Sequence, residues 1–383
     1  MSETTQSSSF KLDGASLRAY TMIGALALIW LYFHWATGGI FMTPRNLSNL
    51  MTQTAVTGVL AVGMLMVILS GNIDLSVGSV IGLLGGVMAV LLTNKGWALA
   101  PALLVAIGVG VTIGLIHGVL VTYGNIPAFI VTLGGLLGWR GAIKGLSAGE
   151  TIPIALPAFK AFGQQYIAKS AGWALAALAL VALVVLALNR ARAQRKHGLT
   201  EMKPADFALG LVIPAVAILA FTYMMNAYAG VPIPVLILLG VAGLGAFITN
   251  STTFGRYLYA IGGNPDAARL SGINIKSYIL AVYGLLGALT GVAAVIYTAR
   301  VGSSSPDAGV LKELDAIAAC VIGGASLMGG RGTIFGACIG ALIMASLDNG
   351  MSLLNVKDFM QDIIKGGILV AAVGLDMIGR NRS

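Results

Sequence analysis

The sequence predicts an all-α, polytopic integral membrane protein, and three observations carry that expectation. Apolar residues make up 57% of the 383-residue chain, and charged residues only 10%, where a soluble domain carries about 25% because its surface faces water. The mean hydropathy is +0.90. The apolar residues also fall into recurrent runs near 20 residues long, the length a helix needs to cross about 30 Å of hydrocarbon.

Taken in order, residues 1–15, MSETTQSSSFKLDGA, are a polar tail. They lack the charged region, short apolar run and small-residue cleavage site of a secretory signal, so the N-terminus is expected to stay in the cytoplasm. The single transmembrane body at 16–378 holds about twelve apolar runs, at roughly 20–37, 51–70, 75–93, 98–121, 126–146, 171–189, 206–224, 232–249, 277–298, 314–328, 333–350 and 358–378. The run at 314–328 is short for a crossing and suits a half-helix. Counting it as one crossing leaves both termini, including the tail at 379–383, on the cytoplasmic side. The basic residues agree with that orientation. Arg190, Arg192, Arg195, Lys196 and Lys203, then Arg256, Arg269 and Lys276, and finally Arg380 and Arg382 all fall in regions this count places inside. The loops at 37–50, 147–170, 225–231 and 299–313 are expected outside.

The 52 glycines concentrate within the runs, where small residues let helix backbones approach. Two places mix Gly with polar residues and read as broken helices beside a cavity: LSGNIDLSVGSVIG at 69–82 and VIGGASLMGGRGTIFG at 321–336. GSVIG at 78–82 and GTIFG at 332–336 are alike, and paired interruptions in two halves of a transporter point to its pathway. In so Gly-rich a chain chance accounts for that likeness as readily as a repeat does.

Composition and motifs exclude several function classes. A net charge of +9 fits cytoplasmic loops better than nucleic-acid binding, because no basic surface interleaved with aromatics is visible. There is no Gly-Lys dipeptide, hence no phosphate-cradling loop, and no HExxH. GLSAG at 145–149 fits a nucleophile motif by letters only, since it closes a membrane run. His34, His117 and His197 stand without a second ligand at metal spacing, and Cys320 and Cys338 read as small packing residues. Charges within the runs are few. Arg140 and Lys144 close the fifth run, Asp348 lies late in the eleventh, and Asp362 and Lys365 are placed to pair three apart on a helix. Asp74 is the one carboxylate placed for ion coupling, and its Gly/Asn/Ser surroundings suggest that it caps the following helix instead.

The stretch FGRYLYAIGGNPDAARLSGINIKSY at 254–278, within the loop 250–276, is too polar to span. Gly262, Gly263, Asn264 and Pro265 make a turn signal. Pro265 and Asp266 suit a first helical turn, Ala268, Arg269 and Ser271 follow in the short helix, and Gly272 is placed to end it. Arg269 and Leu270 would face the cytoplasm.

At this segment the chain resembles the permeases of bacterial ATP-binding-cassette sugar importers, of the ribose and xylose type related to branched-chain amino-acid permeases. AIGGNPDAARLSGIN at 260–274 resembles their coupling loop, TAVTGVLAVGMLMVILSGNIDLSVGS at 54–79 their N-terminal signature, and the stretch 313–354 their C-terminal one. The likeness runs from about Asn46 to the last span. The extra apolar runs and basic loop between 147 and 235 fit the xylose type. The resemblance implies a permease homodimer in the bacterial inner membrane, an ATPase subunit with two nucleotide-binding domains that carries the ATP and Mg, and a periplasmic sugar-binding protein docking on external loops such as those of Glu150, Lys160 and Lys312. It implies no catalysis and no cofactor on this chain, and a monosaccharide as cargo, D-xylose before ribose or galactose. A neutral sugar needs hydroxyls rather than counter-charge along its way, and Asp74, Ser76, Ser79, Ser326 and Thr333 are the pathway candidates. Each hydroxyl has an ordinary alternative role in bonding back to its own helix. An ion-coupled sugar transporter using Asp74, or a passive channel, is the rival reading.

Overall fold

A computed structural model describes residues 14–196 and 204–380. Residues 1–13, the loop 197–203 with His197 and Lys203, and residues 381–383 with Arg382 lie outside the described residues, as do the side chains of Arg190, Arg195, Lys196 and Arg380.

The chain is helical, with α1 at Gly14–Ala36, α2 at Pro44–Leu69, α3 at Val77–Ala89, α4 at Leu99–Thr122 and α5 at Ala128–Leu146. A short surface helix follows, α6 at Pro157–Gln164, then α7 at Lys169–Lys196, α8 at Pro204–Tyr228 and α9 at Ile233–Ser251. After two short helices, α10 at Thr253–Gly263 and α11 at Pro265–Leu270, come α12 at Ile275–Val301, α13 at Lys312–Ile322, α14 at Ile334–Leu353 and α15 at Asp358–Arg380. The last turn after α3, Val90–Asn94, widens to π geometry. Among the described residues, 8 helices are long and apolar enough to cross a membrane.

α2 is the buried axis. Pro44 opens it at a position where the missing N–H costs nothing, and from Thr54 to Leu69 every residue is buried. Val59, Leu60, Met64, Leu65 and Ile68 anchor the main core with residues of α3, α12, α13 and α14. A second cluster joins Phe33, Phe41, Leu47, Leu50, Met225 and Met351 around the start of α2. Phe33 stacks on Phe41 at 5.5 Å between ring centroids. Lipid tails are as apolar as Leu, so helix association here rests on close packing. α4 and α12 pack backbone to backbone, and a Cβ on Gly110 would lie 2.5 Å from the Gly287 carbonyl oxygen.

Two faces can be told apart. On one, Ile152–Pro153 (β1) pairs antiparallel with Ser303–Ser304 (β2), Tyr166 bridges to Pro232, and Gln164 donates to the carbonyls of Ala299 and Arg300 at 3.1 and 3.0 Å. Three of the loops expected outside, 147–170, 225–231 and 299–313, thus meet there. The loop at 37–50 joins them through the Arg300 guanidinium, which donates to Asn49 Oδ1 at 3.2 Å. α10 and α11 lie on the opposite face, with the end of α2 and the start of α14.

α13 has 11 residues, about 16 Å of helix, too short to cross. A run of turns at 306–311 precedes it. Arg140 on α5 holds that stretch by donating to the carbonyls of Pro306 and Ala308 at 3.0 and 2.7 Å, and Gly309 and Glu313 lie against Gly78 of α3. Loop, half-helix and the following turn together carry the chain from the end of α12 back to Leu69, where the Gly330 N–H donates to the Leu69 carbonyl at 3.1 Å.

Candidate functional site: two helix breaks and a helical turn

α10 was not foreseen in the sequence. It starts directly after α9, where Thr252 Oγ1 accepts the Gly255 N–H at 3.2 Å. Asn264 then caps α11 by accepting the Ala267 N–H at 3.0 Å. Pro265 occupies the first helical position and Asp266 the first turn, and Gly272 follows the helix at φ +81°, a left-handed conformation that glycine adopts without a Cβ penalty. Ala268 is buried, and the Ser271 hydroxyl donates to the Ala267 carbonyl at 2.9 Å. Arg269 and Leu270 point out, with 90% of Leu270 exposed. Among the described residues Arg269 pairs only with Asp266, at 3.3 Å and in the open.

The turn between α10 and α11 rests on both breaks. A Cβ on Gly262 would collide with the Leu69 carbonyl and lie 2.5 Å from the Gly330 nitrogen. A Cβ on Gly330 would lie 2.9 Å from both the Cα and the nitrogen of Gly263, and one on Gly329 would lie 3.0 Å from Gly71 Cα. The Tyr259 hydroxyl donates to the Gly332 carbonyl at 2.8 Å, and burial pushes its phenol pKa up. Five glycine backbones therefore meet where side chains would hold them apart.

In the first break, Asp74 Oδ1 accepts the Ser76 N–H at 2.7 Å and the Ser76 hydroxyl at 2.6 Å, so the carboxylate braces the turn before α3, whose N-cap position is held by Ser76 and not by Asp74. Its other oxygen lies 3.5 Å from Nδ1 of His117. His117 is not the isolated residue that its sequence surroundings suggest. The Trp139 indole donates to its Nε2 at 3.1 Å. An indole N–H can only donate, so Nε2 is the acceptor and Nδ1 carries the ring proton toward Asp74 and Ser76. These partners come from α4, α5 and the break, far apart in sequence, which is why no local signal revealed them. Ser79 donates back to the Ser76 carbonyl at 2.8 Å.

In the second break, Ser326 Oγ accepts the Met328 N–H at 3.3 Å. Thr333 caps α14 by accepting the Gly336 N–H at 3.0 Å. The likeness of 78–82 to 332–336 places a helix start after each break, though Thr333 is a cap while Ser79 lies inside α3. The five pathway candidates occupy two neighbourhoods: Asp74, Ser76 and Ser79 inside the bundle near His117, and Ser326 and Thr333 beside the α10 turn.

Charges read singly from the sequence form one cluster. Lys365 does not turn to Asp362 but to Asp348 at 2.7 Å and Asp315 at 3.4 Å. Lys312 reaches Asp315 at 2.6 Å and Asp348 at 4.0 Å. The Lys312 side chain is thus engaged with Asp315 and Asp348 within the bundle. Cys320 is a packing residue, its thiol donating to the Ala61 carbonyl at 3.3 Å. Among the described residues, no three His, Cys, Asp or Glu side chains are placed to hold a metal ion.

The family model described as the permease component of the branched-chain amino acid transport system matches residues 46–195 and 208–373. The chain is 46% identical over 374 residues to the xylose transport system permease protein XylH of Escherichia coli K12, covering 97% of this chain and 95% of that protein. It is 44% identical to XylH of Haemophilus influenzae, over 97% of this chain and all of that protein. To the ribose import permease protein RbsC of E. coli K12 it is 37% identical, over 88% and 87% of the two chains. No solved structure matches it. The chain is a multi-pass membrane protein and belongs to the family of branched-chain amino acid transport system permease components, whose role is transport rather than catalysis.

Proposed function

We propose that this chain is the membrane-spanning subunit of an ATP-driven importer that moves D-xylose across the bacterial inner membrane. The carrying observation is the turn at Gly262 and Gly263, seated by backbone contact on both helix breaks, together with the likeness to xylose permeases over nearly the whole chain. In this reading both termini and the α10–α11 face are cytoplasmic, and the face of α6 is periplasmic. Arg269 and Leu270 dock on an ATPase subunit with two nucleotide-binding domains, which alone holds ATP and Mg. A periplasmic sugar-binding protein delivers the cargo to a homodimer of this chain.

The mechanism follows from the contacts. Closure of the ATPase domains displaces α11, and α10 with it. Gly262 cannot move toward Leu69 or Gly330 without collision, so the displacement is passed to the ends of both breaks. Two arrangements of the breaks then give alternating access, biased by nucleotide state. Asp74, Ser76, Ser79, Ser326 and Thr333 supply the polar groups that a neutral sugar meets as the breaks part.

The test is uptake in proteoliposomes. Xylose accumulation only with the ATPase, the loaded binding protein and ATP together is the expected result. Uptake by this chain alone under a proton gradient would replace the proposal with ion coupling through Asp74. The ribose permease relative keeps a second cargo reading specific, and accumulation of ribose in preference to xylose would decide for it.

A further inference from the structure

Between α3, α4 and α12, the side chains of Asp74, Ser76, Ile113, His117, Tyr283 and Thr290 line a cavity with room for about one water. It is the polar point of an otherwise apolar packing. Tyr283 is one of its lining residues, and its hydroxyl is fully buried and has no hydrogen-bond partner among the described residues. A buried phenol O–H without an acceptor is costly, and tyrosines in cores ordinarily find one. The groups across the cavity are complementary. Asp74 is acceptor-only, and its Oδ2 has spare lone pairs beyond its contact with His117. Thr290 donates its hydroxyl proton to the Leu286 carbonyl at 2.8 Å and so offers its oxygen only as an acceptor.

We infer that this cavity is a binding site for a single water, which accepts from the Tyr283 hydroxyl and donates to Asp74 and Thr290. The water completes a continuous chain of polar contacts from Tyr283 on α12, through Asp74 and Ser76 in the first break, to His117 on α4 and Trp139 on α5. Three partners meet the usual number for a buried water. A chain satisfied at each member holds its groups in one arrangement, whereas a half-satisfied one would not. Tyr283, His117 and Trp139 are thereby positioning residues for the break, whichever solute the chain carries. The cavity is too small for a sugar ring in this arrangement.

X-ray radiolytic labelling of the full-length protein in detergent tests the assignment, because radicals formed on a bound water oxidise the side chain beside it. Tyr283 is expected to be oxidised several-fold faster than Phe41 and Phe159, which are equally buried and lie away from the cavity, and bulk radical scavenger should not slow it. Labelling no faster than those two residues, or abolished by scavenger, would overturn the water site. The filling variant Thr290→Ile should return Tyr283 to the background rate, and an unchanged rate in a folded variant would place the radical source elsewhere. Should that variant fail to fold, the wild-type comparison still decides. Saturating xylose should leave the rate unchanged. A sugar-dependent loss of labelling would give the site to a sugar hydroxyl and remove the water.

Discussion

Gly262 and Leu69 meet without room for a side-chain carbon: a Cβ at Gly262 would overlap the Leu69 carbonyl oxygen, the same atom that accepts the Gly330 N–H at 3.1 Å. Gly263, its neighbour in the chain, has open space where a Cβ would go. The pair provides an internal control. Overpacking typically costs about 1–3 kcal/mol, and here the obstacle is backbone, which cannot rotate away. Gly262→Ala is expected to cut uptake by more than about tenfold, the factor that 1.4 kcal/mol carries, while Gly263→Ala retains most of it. Uptake measured at matched membrane levels checks this. Equal activity in the two variants would remove the close packing from the coupling route.

Among the described residues the Arg269 side chain pairs with Asp266 alone, at 3.3 Å, with 72% and 86% of the two side chains exposed. Exposed pairs of this kind contribute about 0–1 kcal/mol, so its loss should barely touch stability. Arg269→Glu is therefore expected to leave the thermal midpoint of the isolated protein within about a degree or two of wild type, since about 1 kcal/mol shifts Tm by only a few degrees in a chain of this size. The same variant should lose ATP-driven uptake and co-purification of the ATPase. A large drop in thermal midpoint would show that Arg269 serves the fold, and intact co-purification would move the docking contact off α11.

Asn46 and Asn349 exchange hydrogen bonds inside the bundle, Asn46 Nδ2 donating to Asn349 Oδ1 at 2.8 Å and Asn349 Nδ2 returning to Asn46 Oδ1 at 3.2 Å. Both residues are buried, and Asn46 also donates to the Phe41 carbonyl at 2.8 Å. Asn349→Leu strands the Asn46 amide, at a cost of about 1–3 kcal/mol. Asn46→Leu with Asn349→Leu removes both polar groups and should be closer to wild type than either single change. Additive losses in thermal unfolding would argue against a mutual pair.

How far these features were legible follows from where their signals lie. α11 was legible because Asn264, Pro265, Asp266 and Gly272 are local capping and turn signals, each sufficient at its own position. The shortness of α13 was legible from the length of its apolar run. α10 was not: Phe254, Leu258 and Ile261 recur at helical spacing, but over only 11 residues that are interrupted by glycines. Its helix is held by contacts made elsewhere, Phe254 and Tyr257 against Tyr278 at 5.5 and 5.3 Å and Tyr259 on Gly332. The partners of His117 were hidden for the same reason: Asp74 and Trp139 arrive from other elements, and a lone histidine in an apolar run announces none of them. The short surface helix α6 was likewise hidden, being only 8 residues inside a loop.

The ionic cluster makes the strongest claim on stability. Among the described residues Lys365 is the α15 member of the cluster, and through Asp348 and Asp315 it joins that helix to α14 and α13. Lys312 faces the same two carboxylates, so the four charges balance. Lys365→Met leaves two carboxylates sharing one cation, with Asp315 nearly inaccessible to water. Breaking a buried pair from one side costs about 3–5 kcal/mol. Removing a matched pair, Lys365→Met with Asp348→Leu, restores the balance of one lysine and one aspartate and should recover much of that loss, because replacing a buried pair by apolar groups is often neutral. Thermal unfolding in detergent of the two single variants and the double variant gives the coupling directly. Losses that merely add would mean the charges act independently, and α15 would then owe its place to packing alone.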